Sequence, residues 1–317
     1  GTPSLMPPGI VAALIDAASG YWAPTADIEI TLEANPSSVE AARFADLAAA
    51  GVNRVSLGLQ ALDDRALHFL GRAHDVREGL AALDVAQSVF GRVNFDLIYA
   101  RPEQSEADWE AELAQGLSFG TDHLSLYQLT IEPGTRFATL VAQGKLTPAD
   151  PDHAAGLYEQ TQAMTAAAGI PAYEISNHAR AGQASRHNLT YWRYGDYAGI
   201  GPGAHGRRGG VATLRHKKPE NWMSAVARNG QGLQSEEALA PADRAREALL
   251  MGLRLAEGVR LDRIAALSGI AVGELVDERA VERLGKLGLV EREGALLRVM
   301  PAGMLLLDAI LPEIVAV

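Results

Sequence analysis

Cysteine does not occur anywhere in the 317 residues. No disulfide framework can form, so nothing in the chain favours an oxidising compartment. Aromatic residues are scarce at 6%, although a hydrophobic fraction of 48% still permits a sizeable core. Positive charge is short as well: 28 Lys and Arg stand against 39 Asp and Glu, a net charge of −11. Nonspecific binding to nucleic acid or to an anionic membrane surface needs the opposite sign. No run is long and apolar enough to span a bilayer, and no signal peptide is recognisable, so the expected location is cytoplasmic. The length fits one large domain and one small one.

What is present alternates. Ile10–Ala18 reads as a helix, and Asp27–Glu33 has the period of two that marks a strand. Ser37 with Glu40 caps a helix that turns Phe44 and Leu47 inward and stops at Gly51. Asn53–Gln60 is the next strand, and Asp63 opens a short helix. Asp75 with Glu78 caps another helix, and Val93–Tyr99 is the third strand. Ser105 with Asp108 caps a helix with Trp109, Leu113 and Leu117 on one face. His123–Leu129 is the fourth strand, and Asp152–Ala168 the next helix. Strict alternation predicts a parallel sheet with helices outside, an α/β fold of partial (β/α)6 TIM-like barrel type. Working residues in such folds sit at the C-terminal ends of strands. Glu33 and Gln60 end two of them, Asp96 lies within the third, and Arg72 follows the second strand's helix.

The stretch Tyr173–His205 is different. Gly195, Gly199, Gly201, Pro202 and Gly203 punctuate it, so it reads as a short strand, a long loop and a compact glycine-rich turn. Long ordered loops of this kind are usually functional. His178, His187 and His205 lie in it, with Tyr191 and Trp192 close by; the plain alternative is an irregular loop whose aromatics fill a core.

Arg186-His187-Asn188-Leu189-Thr190-Tyr191-Trp192, followed by Gly195-Asp196-Tyr197 and Gly199-Ile200-Gly201-Pro202-Gly203-Ala204-His205, resembles one family. It is the radical S-adenosylmethionine (radical SAM) proteins related to oxygen-independent coproporphyrinogen III oxidase, and within them the heme-chaperone branch of HemW type. Glu132-Pro133-Gly134-Thr135 matches the same family. The resemblance implies a SAM site in which Gly1 and Thr2 meet the methionyl end and Glu33 takes the amino group. Gln60 and Asp96 would reach ribose or adenine, and Arg72 would pair with a carboxylate. Those residue types suit a zwitterionic sulfonium, which needs a carboxylate for its ammonium and a guanidinium for its carboxylate. The resemblance also implies heme held by His187 as the first choice of iron ligand, then Tyr191 and His205.

Radical SAM proteins hold a [4Fe-4S] cluster on three cysteines in a CxxxCxxC loop. Since this sequence has none, the resemblance implies that the first strands and the cluster loop lie upstream of Gly1. It departs from the family again at Asp96-Leu97-Ile98-Tyr99-Ala100-Arg101-Pro102-Glu103, where Ala100 and Glu103 replace glycines that permit positive φ.

After Gly209 the pattern changes. Residues 1–210 are read as the radical SAM-type barrel with its heme or substrate loop, 211–240 as a polar linker, and 241–317 as a winged-helix-like α+β domain. Pro241 opens its first helix, and Leu289–Val299 reads as its hairpin wing. A winged helix raises DNA binding, but residues 231–317 carry 14 acidic against 10 basic side chains, against that use. The implied function is heme storage and delivery to acceptor proteins, with weak association to a membrane protein as a further partner. The alternatives are oxidative decarboxylation of a porphyrinogen, which would make the chain an enzyme, and an inactive scaffold remnant.

Overall fold

The computed structural model describes residues 3–317, so Gly1 and Thr2 of the expected SAM site lie outside the described residues. The chain divides into two compact units between Ala184 and Ser185.

The first unit is built on a six-stranded sheet. Its strands are β1 (Thr31–Ala34), β2 (Arg54–Gln60), β3 (Arg92–Tyr99), β4 (His123–Gln128), β5 (Ala172–Glu174) and β6 (Asn177–Ala179). Their order is β1-β2-β3-β4-β6-β5. The first four run parallel, whereas β6 pairs antiparallel with β4 and with β5. The Tyr173 region is therefore a hairpin at the sheet edge, with Ile175 and Ser176 left to make the reversal.

Helices α1 (Pro8–Tyr21), α2 (Ser38–Ala41), α3 (Phe44–Ala49), α4 (Asp64–Phe69), α5 (Val76–Val89), α6 (Glu106–Ser118), α7 (Arg136–Ala142) and α8 (Pro151–Ala167) fill the connections. Their starts follow local chemistry: the side chains of Ser37, Asp63, Asp75 and Ser105 each accept a hydrogen bond from a first-turn amide. Alternation along the strands sends Val55, Leu57, Phe95, Leu97, Leu124 and Leu126 to one face, where they are buried with Phe44, Leu47, Leu83, Trp109, Leu113 and Leu157. Trp109 stacks on Tyr99 with ring centroids 5.1 Å apart and donates its indole N–H to Thr161 at 2.8 Å. The sheet's other face is free for polar residues.

The second unit begins with α9 (Arg186–Trp192), inside the stretch that the sequence reads as a loop. That reading is corrected for a simple reason. Between Gly182 and Gly195 the stretch has no glycine or proline, and Ser185 caps the helix by accepting from the Asn188 amide. Residues 211–240 are not an extended linker. A three-stranded antiparallel sheet, β7 (His205–Arg208), β8 (Val211–Arg215) and β9 (Leu233–Ala238), runs through them with α10 (Pro219–Asn229) inserted. β9 is polar because it is an exposed edge strand, which hid it.

The rest is α11 (Pro241–Gly252), β10 (Val259–Arg260), α12 (Leu261–Ser268), α13 (Val272–Leu275), α14 (Glu278–Lys286), β11 (Val290–Glu293), β12 (Leu296–Val299), α15 (Pro301–Met304) and α16 (Leu307–Ile314). The strands form a sheet ordered β10-β12-β11. Helices α11, α12 and α14 with a small antiparallel wing make this the expected winged-helix-like module.

Candidate functional site

The polar face of the first sheet carries the side chains that the core rejects. Parallel register places Glu33 beside Ser56, Ser56 beside Asn94, and Asn94 beside His123. Asp96 sits one pleat further, beside Ser125. Asn94 is the hub: its amide nitrogen lies 2.9 Å from Ser56 Oγ, 2.9 Å from Asp96 Oδ1 and 3.0 Å from Ser125 Oγ. Its amide oxygen accepts from His123 Nδ1 at 2.7 Å, which leaves Nε2 to accept from the Tyr173 hydroxyl at 3.0 Å. That arrangement needs a neutral imidazole. Burial first, then the charges of Arg54 and Arg92, hold His123 well below the ordinary histidine range. Ser125 in turn donates to Asn177 Oδ1 at 2.7 Å, tying the hairpin to the parallel strands.

At the start of the strands this face is closed by cations. Arg92 pairs with Glu29 at 2.5 Å, and Arg54 is buried, its pKa lowered chiefly by that burial. Toward the strand ends the charge becomes negative. Asp96 is pushed up to about 7, by burial foremost and by the Glu33 carboxylate second, against the hydrogen bonds from Asn94 and Ser125. Glu33 itself is exposed.

Gln60 ends β2 after a register shift, with φ of 73°. A non-glycine residue there is strained. The outcome is that its amide lies over Gly58: a Cβ built at Gly58 would sit 3.0 Å from Gln60 Nε2. Gly58 thus offers bare backbone, and Gln60 an amide, on the face that holds Ser56.

Glu33, Gln60 and Asp96 are therefore brought to one surface. Arg72 is exposed in the turn after α4, and among the described residues no hydrogen bond or ion pair joins it to them. Sequence reading missed Asn94, His123, Ser125, Tyr173 and Asn177. The signal was available as alternation, since Asn94 and Asp96 on β3, and His123 and Ser125 on β4, each lie two apart among apolar residues.

A second group lies in the second unit. His187 and Tyr191 occupy successive turns of α9 and meet edge-to-face, centroids 4.7 Å apart. Tyr191 meets Tyr197 the same way at 4.5 Å. Tyr197 exchanges backbone hydrogen bonds with Arg207 on β7. The Arg207 guanidinium lies 3.3 Å from the Tyr194 ring centroid and 5.5 Å from that of Tyr197, and it donates to Gly195 O at 3.1 Å. Glu247 accepts from the Tyr194 hydroxyl at 2.6 Å and stands 3.7 Å from Arg207. This locks the end of α9 onto β7. His187 and His205 are both exposed, and His205 sits at the start of β7, connected to the cluster through backbone alone.

The donor sets can be tested against the family's groups. A carboxylate pair, a free amide and bare glycine backbone fit SAM. An exposed imidazole beside a phenol fits an axial heme ligand. An iron–sulfur cluster finds no thiolate in this chain, and among the described residues no group of three or more His, Cys, Asp or Glu could hold a metal ion.

Comparison with known proteins places the chain in a family. Residues 1–114 match the radical SAM superfamily model and residues 239–306 the HemN C-terminal domain model. The heme chaperone HemW of Escherichia coli is 37% identical over 85% of this chain and 71% of its own length. The mitochondrial radical S-adenosyl methionine domain-containing protein 1 of Bos taurus is 44% identical over 82% of this chain. The alignment covers only 61% of that relative's length. The solved structure of coproporphyrinogen III oxidase (HemN) from Escherichia coli superposes with a TM-score of 0.80, covering 98% of this chain and 75% of that one at 22% identity, which establishes the shared fold. Fold, domain matches and sequence similarity converge: the chain belongs to the radical SAM proteins related to oxygen-independent coproporphyrinogen III oxidase, in the branch of the HemW heme chaperones.

Proposed function

We propose that this chain binds heme and delivers it to acceptor proteins, with SAM held on the polar face of the first sheet. The observation that carries the heme reading is the exposed His187 ring set edge-on against Tyr191 on α9. His187 is the iron ligand in this reading, Tyr191 fixes its ring, and His205 is the second choice. Glu33 takes the SAM ammonium, Gln60 and Asp96 the nucleoside, and Arg72 a carboxylate. A [4Fe-4S] cluster belongs to the family, but no step is assigned to it from these residues. The acidic balance supports small-molecule and protein partners over nucleic acid. Cytoplasmic location and weak association with a membrane protein are parts of the same proposal; among the described residues no helix is long and apolar enough to cross a membrane.

Hemin titration followed by absorbance tests it. Saturable, stoichiometric uptake with a Soret band that shifts in His187→Ala and not in His205→Ala is the expected result. Retention of the wild-type band in His187→Ala removes His187 from the iron. Conversion of a porphyrinogen to a vinyl product with SAM consumption would point to the oxidase chemistry instead.

A further inference from the structure

The C-terminal end of α9 opens into a cleft that the reading above does not use. Its volume is about 250 Å³, below the usual range for a whole small-molecule site, so it suits one edge of a larger ligand. Trp192 forms a flat wall and Leu255 and Ile264 line the interior. Arg193, Arg260 and Arg263 also line it, against Glu257 as the sole acid among its lining residues. That is a local excess of positive charge in a chain of net −11.

The three cations are not equivalent. Arg193 is engaged with both Glu257 oxygens, at 2.7 and 2.8 Å. Arg260 is turned to Asp262 at 3.1 Å. Arg263 donates to the Arg193 carbonyl at 3.2 Å, and among the described residues it has no carboxylate partner. An incoming carboxylate would compete with no resident acid for Arg263, and the guanidinium fork matches it in two-point geometry. Aromatic wall, apolar interior and an unmatched guanidinium together describe a site for a flat hydrophobic anion. A tetrapyrrole is flat and hydrophobic and carries its carboxylates at its edge, which is the chemistry this cleft presents.

We infer that this cleft takes the carboxylate-bearing edge of a tetrapyrrole, with Arg263 as the anion partner and Trp192 against the ring. The inference rests on the heme reading above and adds its selectivity: free carboxylates are required. Hemin and hemin dimethyl ester, titrated against the 317-residue chain, test it without any mutation. The ester should bind about tenfold or more weakly, the scale of one lost charge-assisted contact. Arg263→Gln should lower hemin affinity to about that of the ester, leave the ester's affinity unchanged, and keep the Soret position of the wild-type complex. Arg260→Gln, which alters an exposed pair, should show a smaller loss with the same pattern. Equal binding of hemin and its ester overturns the inference while leaving heme binding intact, as does Arg263→Gln weakening both alike. Absence of saturable binding by either compound overturns the heme reading itself and this inference with it.

Discussion

Asp96 and Glu33 stand two strands apart on one face of the parallel sheet, close enough that the second carboxylate disfavours ionisation of the first. Burial is the larger cause, Glu33 the next, and together they raise Asp96 to about 7. A raised carboxyl pKa makes stability fall with rising pH wherever the native state stays protonated and the unfolded state has already ionised. The direction is therefore unfavourable to folding on going up in pH: the contribution is complete below about 4 and lost as pH rises toward 7. Asp96→Asn removes the titration. We expect it to raise the melting temperature relative to the parent at pH 8 and to have little effect at pH 4. Parallel melting curves across pH 4–8 for both chains would overturn this.

The same pair predicts a proton count for ligand binding. A cationic sulfonium or ammonium beside Glu33 and Asp96 favours the ionised form of both. SAM binding should then release a proton at pH 6, approaching about one, and progressively less above pH 7. Calorimetry in two buffers of different ionisation enthalpy reads this directly. Glu33→Gln should weaken SAM by about tenfold, the scale of a lost charge-assisted hydrogen bond, and reduce the proton release by lowering Asp96. Identical heats in both buffers at pH 6 would remove the cation from this face.

The strand after Asp96 gives a stability prediction. Ala100 and Glu103 occupy left-handed backbone, with φ of 55° and 63°, at the two positions where the family resemblance leads one to expect glycine. Left-handed backbone costs an L-residue about 1–2 kcal/mol, part of which glycine's larger unfolded-state entropy offsets. Glu103 is exposed, so Glu103→Gly should stabilise the first unit by about 0.5–1 kcal/mol, read as a higher denaturation midpoint at unchanged slope. Ala100 is 3% exposed, and the contacts its methyl makes should cut the gain there. A midpoint lowered by Glu103→Gly would mean that its side chain does more than strain the turn.

These cases also mark how far sequence alone reaches. Capping residues and strand cores are local or periodic signals, which is why Ser37, Asp63, Asp75 and Ser105 fall where expected and Val55, Phe95 and Leu124 face the helices. The glycine positions at 100 and 103 are legible for the same reason: φ is a property of one residue. The Asn94 hub is not local, because its partners Ser56, His123 and Ser125 come from the two neighbouring strands and only register joins them. The α9 helix was obscured by its flank, since the glycine-rich run after Gly195 colours the whole stretch although Arg186–Trp192 contains no breaker. The β9 strand escaped because an exposed edge strand has no apolar period to read.

The glycine-rich run itself carries the last prediction. A Cβ built at Gly199 would lie 1.9 Å from the His205 carbonyl oxygen and 2.5 Å from its carbon. Backbone stands on both sides, so no side chain can rotate away. The same crossing recurs from the other strand, where a Cβ at Gly206 would meet Gly199 N at 2.9 Å. Arg215 then donates to the Gly199 carbonyl. Gly199→Ala must push β7 away, taking His205 with it and loosening the Tyr197–Arg207 pairing that holds Tyr191. We expect a loss of about 3 kcal/mol or more in the second unit, the range of severe overpacking. Gly209→Ala is the control: φ is 59°, nothing stands within 4 Å of the added methyl, and the cost should stay near the 1–2 kcal/mol of left-handed backbone. Chemical denaturation of the two variants separates the cases. If Gly199→Ala unfolds at the same midpoint as Gly209→Ala, then β7 yields freely, and the backbone crossing cannot be what positions His205 and the Tyr191 cluster.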